Sequence, residues 1–284
     1  MSEYSTIRYE NVDDDIVRVV LNRPEKRNAQ NHTMTNELNR AFTTAAADDA
    51  VKVIILSAAG PHFCAGHDQV NRGNDEDIET SGTWFGYGLP GIEGRMSRNK
   101  ETYFDTFWRW RNLPKPLIAA AHGKTIGGGL MLLFVADIIV ASDDATFADP
   151  APQIGVNGVE YFGHPWELGA RKAKELLFTS DFITAEEARQ MGMVNRVVPR
   201  DQLDDAVVEM ARKAARKPSL GLKLAKEAVN AALDAQGQFA ALRAAFSLTT
   251  IGHAQMMLTG VTRGNYGPGF LNSETGRVNE PVDR

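Results

Sequence analysis

The chain has 284 residues and a mass of 31.1 kDa, long enough to bury a sizeable core and, as a length prior, about two domains. Hydrophobic residues at 43% and charged residues at 24% are a globular composition, which needs neither intrinsic disorder nor a coiled coil to explain it. With 31 Lys and Arg against 36 Asp and Glu the net charge is −5, a poor footing for counterion-driven nucleic-acid binding.

The most apolar stretch, Leu130 to Ala136, is cut by Asp137 and falls far short of the roughly 20 apolar residues a membrane helix needs. The N-terminal MSEYSTIRYE has acidic residues early and no apolar core, so it does not read as a secretory signal and a cytoplasmic location is expected. One cysteine, Cys64, allows no internal disulfide or Cys-rich zinc site and reads as a small buried hydrophobe. The six histidines form no HxH or HxxxH pair, so no metal is expected.

In chain order, Ile16 to Leu21 alternates and is β-branched, which predicts a strand. Thr33 to Ala47 carries Met34, Leu38, Ala41, Phe42 and Ala45 on one face, which predicts a helix with Thr33 as N-cap. The apolar run Val51 to Leu56 predicts a second strand. Residues 71 to 97 hold six glycines and three aromatics with little periodicity, and predict a long mobile segment whose Trp84, Phe85 and Tyr87 either line a pocket or pin the loop to the core. The order recurs with a strand at Leu117 to Ala121, a buried helix at Gly128 to Ala136 and a strand at Ile138 to Ala141. This alternation predicts an α/β fold with a parallel or mixed sheet. From Asp201 the texture becomes helical, with Leu220, Leu224, Val229 and Leu233 on a face that packs on the core or on another subunit. The tail after Gly260 reads as loosely ordered.

Three segments could carry chemistry. Thr125-Ile126-Gly127-Gly128-Gly129 opens the apolar helix, where main-chain N–H groups can hold an oxygen that gains charge during reaction, but it lacks the Lys-Ser/Thr of a phosphate-binding loop. Gly60-Pro61-His62-Phe63-Cys64-Ala65-Gly66-His67-Asp68 follows a strand, the place where ligands bind in α/β folds, and Asp68 is most simply the N-cap of a following helix. Asn22-Arg23-Pro24-Glu25-Lys26-Arg27-Asn28-Ala29 clusters three cations in an exposed turn, either as solvated charge or to hold phosphate.

NRPEKRNA, PHFCAGHD and KTIGGGL, in this order and spacing, together with LPKPLIAAAHGKTIGGG, ADIIVASDDATFADP and LLFTSDFITAEEARQMGMVNRVVP, resemble the enoyl-CoA hydratase/isomerase (crotonase) superfamily over roughly residues 15 to 235. The resemblance implies a spiral of repeated ββα units over residues 1–200, holding an acyl-CoA site, and a helical C-terminal region over residues 201–284 that assembles a homotrimer or hexamer. It implies an acyl-CoA thioester as ligand, with coenzyme A part of the substrate and no separate cofactor. The two N–H groups that clasp the thioester oxygen fall on His67 and Gly128, the latter preceded by Gly127 in the same turn. Lys26, Arg27 and Ala29 fall along the adenosine phosphates and adenine, and Ala65 and Gly66 near the adenine and pantetheine.

The sequence departs from the family at the two glutamates a hydratase uses, whose places hold Met131 and Ala151. Other members carry an acid a few positions further on, and Glu160 is the nearest carboxylate to such a place, which makes it the leading proton-transfer candidate; Glu93 is a weaker one. Asp137 and Asp149 read as structural, and His164 as fixing the turn before the next helix. The expected function is therefore an enoyl-CoA hydratase/isomerase-like lyase or isomerase that stabilises a thioester enolate. The alternatives are an isomerase with one base, a thioester or C–C hydrolase, or a non-catalytic acyl-CoA binding protein.

Overall fold

The computed structural model describes residues 4–71, 73, 77–79 and 84–259. The strands are β1 (Ile7–Asp13), β2 (Ile16–Leu21), β3 (Val53–Ala58), β4 (Leu117–Ala121), β5 (Lys124–Ile126), β6 (Ile138–Ser142), β7 (Thr146–Ala148), β8 (Ile183–Thr184) and β9 (Arg196–Val198). The helices are α1 (His32–Ala47), α2 (Gly91–Asn99), α3 (Thr106–Arg111), α4 (Gly128–Phe134), α5 (His164–Thr179), α6 (Ala185–Met191), α7 (Leu203–Ala215), α8 (Ser219–Ala235) and α9 (Gln238–Thr259), with a π-helical turn Lys100–Asp105 joining α2 to α3.

Strands β1-β2-β3-β4-β6-β9 form one sheet in that order, antiparallel between β1 and β2 and parallel thereafter. A second row is shorter. It contains β5-β7-β8 and is extended by parallel bridges from Cys64 to Thr125 and from His67 to Gln30. Successive turns of chain thus place one long strand in the first sheet and one short segment in the second row (β2 then Gln30, β3 then 64–67, β4 then β5, β6 then β7). This is the spiral of ββα units that the sequence implied.

The parallel strands are apolar on both faces because both are covered. Ile54 and Leu56 of β3, with Leu117 and Ala119 of β4, enter the main core beneath α1 and α4. Val53 and Ile55, with Ile118 and Ala120, face the opposite way onto Leu203, Ala206, Val207 and Ala211 of α7. The helical C-terminal region therefore divides into two parts. Helix α7 closes the sheet, whereas α8 buries none of its residues. Its face does not pack on this chain's core: Leu220, Leu224 and Val229 are 66%, 57% and 62% exposed.

Some local expectations shift. Helix α1 is capped by Asn31, whose side chain accepts from the Met34 N–H at 2.9 Å, and Thr33 lies inside the helix. Asp68 caps a turn instead of an α-helix, accepting from the N–H groups of Val70 and Asn71 while pairing with Arg23 at 3.0 Å. Of the irregular stretch 71–97, residues 72, 74–76 and 80–83 lie outside the described residues, as does the tail from Gly260, and from Gly91 onward the chain is helical. No helix among the described residues is long and apolar enough to cross a membrane.

Candidate active site

The site begins where the second row meets α4. Residues 64–66 run beside β5, with the Cys64 N–H donating to the Lys124 carbonyl at 3.3 Å and the Ile126 N–H to the Cys64 carbonyl at 3.0 Å. Gly127, at φ 51° and ψ −117°, takes a conformation closed to side chains with a Cβ. Its N–H donates to Ala148 at 2.9 Å, so α4 starts at Gly128 with an N–H that has no intrahelical acceptor. Across from it, Gly66 has φ 90°, and a Cβ there would stand 2.7 Å from the Ile126 carbonyl oxygen and 3.2 Å from the Gly128 nitrogen. Gln30, 1% exposed, ties the two together by donating to the Gly128 carbonyl at 2.8 Å. His67 and Gly128 are thereby neighbours: a Cβ on Gly128 would meet the His67 imidazole at 2.5 Å.

The cationic turn is fastened to the same strand. Arg27 and Asn28 adopt left-handed φ values of 52° and 54°, and the Arg27 carbonyl accepts from the Ala65 N–H at 3.0 Å. The wholly buried Asn28 side chain donates to the carbonyls of Ala59 and His62. This leaves Lys26 and Arg27 in solvent and Ala29 half-buried beside residues 64–67. Cys64 is fully buried, and burial pushes its thiol up to about 11, so it is an inert part of the core.

Glu160 lies between α5 and the 3-10 turn Ala151–Ile154. Glu160 is buried, only 6% exposed. Its Oε2 stands 3.9 Å from His67 Nδ1, and its Oε1 accepts from Asn99 Nδ2 at 3.3 Å. The same Asn99 nitrogen is 3.3 Å from His253 Nδ1, while the His67 ring stacks on Tyr103 at 4.0 Å between centroids. Residues 67, 99, 103, 128, 160 and 253 thus converge from five separate parts of the chain, Asn99 and Tyr103 sharing one helical stretch.

Two supports hold the Glu160 segment. The Asp149 carboxylate accepts from the N–H groups of Ala151 and Val159 at 3.1 and 3.0 Å, and His164 Nε2 stands 3.0 Å from it, with both side chains fully buried. Burial opposes ionisation of Asp149, but His164 and the two amides outweigh it and hold the carboxyl below the usual aspartate range. On the far side α9 presses on the segment: a Cβ on Gly252 would lie 2.7 Å from the Gly155 carbonyl oxygen, and Thr249 donates to Asn157 at 2.8 Å.

Asp149→Asn, which breaks a buried pair, is expected to lower stability by about 3 kcal/mol. The sign with pH follows from the lowered folded value. The Asp149 contribution is fully present above the unfolded aspartate range and is lost as pH falls through the lower folded value. Denaturant titrations from pH 7 down to pH 3 should therefore show the two proteins converging in acid; a constant gap would remove the charge from the explanation.

Met131 is completely buried in the main core, and Ala151 sits in a small apolar cluster with Ile154, Val156 and Met256. Neither can move a proton. Glu93 is solvent-facing in the first turn of α2. Trp84 is 41% exposed with the Lys100 ammonium 5.3 Å over its ring, and the Tyr87 carbonyl accepts from Arg98; both residues directly precede α2. Asp137, as expected, satisfies a main-chain donor, the Leu117 N–H, at 2.7 Å. Sequence reasoning missed Gln30, Asn99, Tyr103 and His253, none of which lies in a motif.

Known proteins resemble this chain over most of its length. The enoyl-CoA hydratase/isomerase family model matches residues 11–262. The putative enoyl-CoA hydratase EchA13 of Mycobacterium tuberculosis is 45% identical over 267 residues, covering 89% of this chain and 82% of that protein. A probable enoyl-CoA hydratase from Mycobacterium smegmatis superposes with a TM-score of 0.81 at 46% identity, over 91% of this chain and 98% of that one. One from Mycobacterium thermoresistibile gives 0.81 at 44% identity, over 89% and 99%. With a family model spanning most of its length and relatives at this identity, the chain belongs to the enoyl-CoA hydratase/isomerase family.

Proposed function

We propose that this acyl-CoA thioester enzyme of the hydratase/isomerase type holds its thioester oxygen between the N–H groups of His67 and Gly128 and moves the substrate proton with Glu160. The observation that carries the reading is the burial of the Glu160 carboxylate beside the His67 imidazole, which itself lies against Gly128. Removing a proton next to a thioester carbonyl, or adding a nucleophile to its conjugated alkene, pushes electrons onto the carbonyl oxygen. Two main-chain donors preorganised at that oxygen stabilise the enolate, each worth about 3 to 4 kcal/mol in comparable sites. Lys26 and Arg27 face the diphosphate of coenzyme A, with Ala29, Ala65 and Gly66 along its adenine and pantetheine. Ala151 gives the acyl group an apolar contact, Met131 backs the site from within the core, and Trp84 and Tyr87 border its far end. Coenzyme A arrives as part of the substrate, and the proton transfers need no other cofactor.

Because Met131 and Ala151 remove the two usual glutamates, a second reading is double-bond isomerisation, in which one base carries a proton from one carbon to another. We also propose that the protein acts in the cytoplasm and assembles a homotrimer or hexamer, the assembly supported by the uncovered apolar side chains on α8 and by Ile251 and Leu258 of α9. Crotonyl-CoA turnover, followed by loss of the conjugated thioester absorbance, tests the reading. Turnover is expected. Calorimetric binding of the thioester with no turnover of crotonyl-CoA or of a β,γ-enoyl thioester would leave a binding protein instead.

A further inference from the structure

We infer that His67 serves the site twice, its N–H at the thioester oxygen and its imidazole as a second proton-transfer group beside Glu160, so that the two side chains replace the missing carboxylates and hydration becomes the reaction. The inference rests on the reading above for the roles of the N–H clasp and of Glu160.

The position of the ring is what singles it out. The imidazole lies against Gly128, where a Cβ would come within 2.5 Å of both Nε2 and Cδ2, so glycine at 128 makes room for it. Tyr103 covers one face at 4.0 Å with 18° between the ring planes, which fixes the tilt of the imidazole. Its Nδ1 edge points at Glu160 Oε2 across 3.9 Å, while Asn99 holds the other carboxylate oxygen. The ring therefore spans the gap from the Gly128 end of the clasp to the carboxylate. A ring needed only for packing against Tyr103 and Gly128 would gain nothing from facing a carboxylate that is itself 6% exposed. Among the described residues, the titratable groups packed around it are Glu160 and Tyr103, with His253 one asparagine further out.

Two proton carriers are what hydration requires. Starting from a Glu160 carboxylate and a His67 imidazolium, water attacks C3 of the enoyl thioester and forms the new C–O bond as its proton passes to Glu160. The alkene electrons move to the thioester oxygen as an enolate under the two N–H groups. The carbonyl then reforms as C2 takes a proton from the imidazolium. Transfer of the proton from Glu160 to His67 restores both groups, and the sum is one water added across one double bond. No oxidant or further reactant enters.

His67→Gln tests this, because the variant keeps the main-chain N–H and loses only the imidazole. Crotonyl-CoA hydration should fall about 100-fold or more in kcat with KM within a few-fold, the size of effect proton transfer by a positioned group supplies. The kcat of the unmutated enzyme should show two limbs with pH, of which the variant keeps one. Hydration by His67→Gln within about threefold of the unmutated rate would overturn the inference while leaving Glu160 and the clasp standing. If circular dichroism shows the variant unfolded, the unmutated pH profile decides: two limbs support the imidazole and a single limb overturns it. Absence of thioester binding by the unmutated protein would instead defeat the underlying reading, and the inference with it.

Discussion

Glu160→Gln is expected to lower crotonyl-CoA turnover about a thousandfold with thioester affinity held within a few-fold. The substitution is nearly isosteric and keeps an acceptor for Asn99, whose Nδ2 lies 3.3 Å from Oε1, so the segment between Asp149 and α5 stays in place. What disappears is the ability to take a proton, worth about 10²- to 10⁴-fold for a positioned acid or base. The clasp at His67 and Gly128 is untouched, which is why binding survives. A drop in kcat of less than tenfold would remove Glu160 from the chemistry, and an equal loss of binding and turnover would assign it to substrate binding.

Gly66→Ala is expected to be nearly inactive and less stable by about 3 kcal/mol. Two costs add. Alanine at φ 90° is strained by roughly 1 to 3 kcal/mol, and its Cβ would sit 2.7 Å from the Ile126 carbonyl oxygen, a main-chain atom that cannot rotate aside. Relief requires the 64–67 strand to part from β5. Since Gly128 nitrogen is the next atom in line at 3.2 Å, the movement separates the two residues of the clasp and costs activity beyond the loss of stability. Gly221→Ala is the control. It lies in the first turn of α8, where an added Cβ meets nothing within 4 Å, and the change should be neutral or stabilise by up to about 1 kcal/mol. Thermal unfolding and crotonyl-CoA turnover of both variants check the pair; a stable, active Gly66→Ala would mean that the strand and β5 tolerate separation.

Periodicity alone was enough for the elements whose partners are ordinary core. β2, β4, β6, α1 and α4 fall where alternation or helical spacing put them, because each buries side chains in the main core. The N-cap moved from Thr33 to Asn31 because either side chain can cap locally and only the geometry at Met34 chooses. The α2 to α3 stretch was obscured by glycines before it and by the π-helical turn within it, which breaks the 3.6-residue pattern. In the site, the closeness of residue 67 to Gly128 was readable because motifs mark both. Glu160 was readable as a position and unreadable as a burial. Its partner Asn99 is 61 residues away, and Asn99 and His253 are 154 apart; no local pattern encodes contacts made by packing at that separation. The loss of the glutamates at Met131 and Ala151 was plain from residue identity, whereas the imidazole facing Glu160 required the fold.

The central claim is that the thioester oxygen lies between His67 and Gly128 with Glu160 turned toward the acyl carbons. A crystal structure with a slowly reacting enoyl-CoA analogue tests it most directly. The account predicts the carbonyl oxygen about 2.7 to 3.1 Å from both main-chain nitrogens, with the Glu160 carboxylate and the His67 ring on the acyl carbons and the diphosphate beside Lys26 and Arg27. A thioester oxygen held elsewhere, or a Glu160 carboxylate turned away from the acyl group, would contradict it.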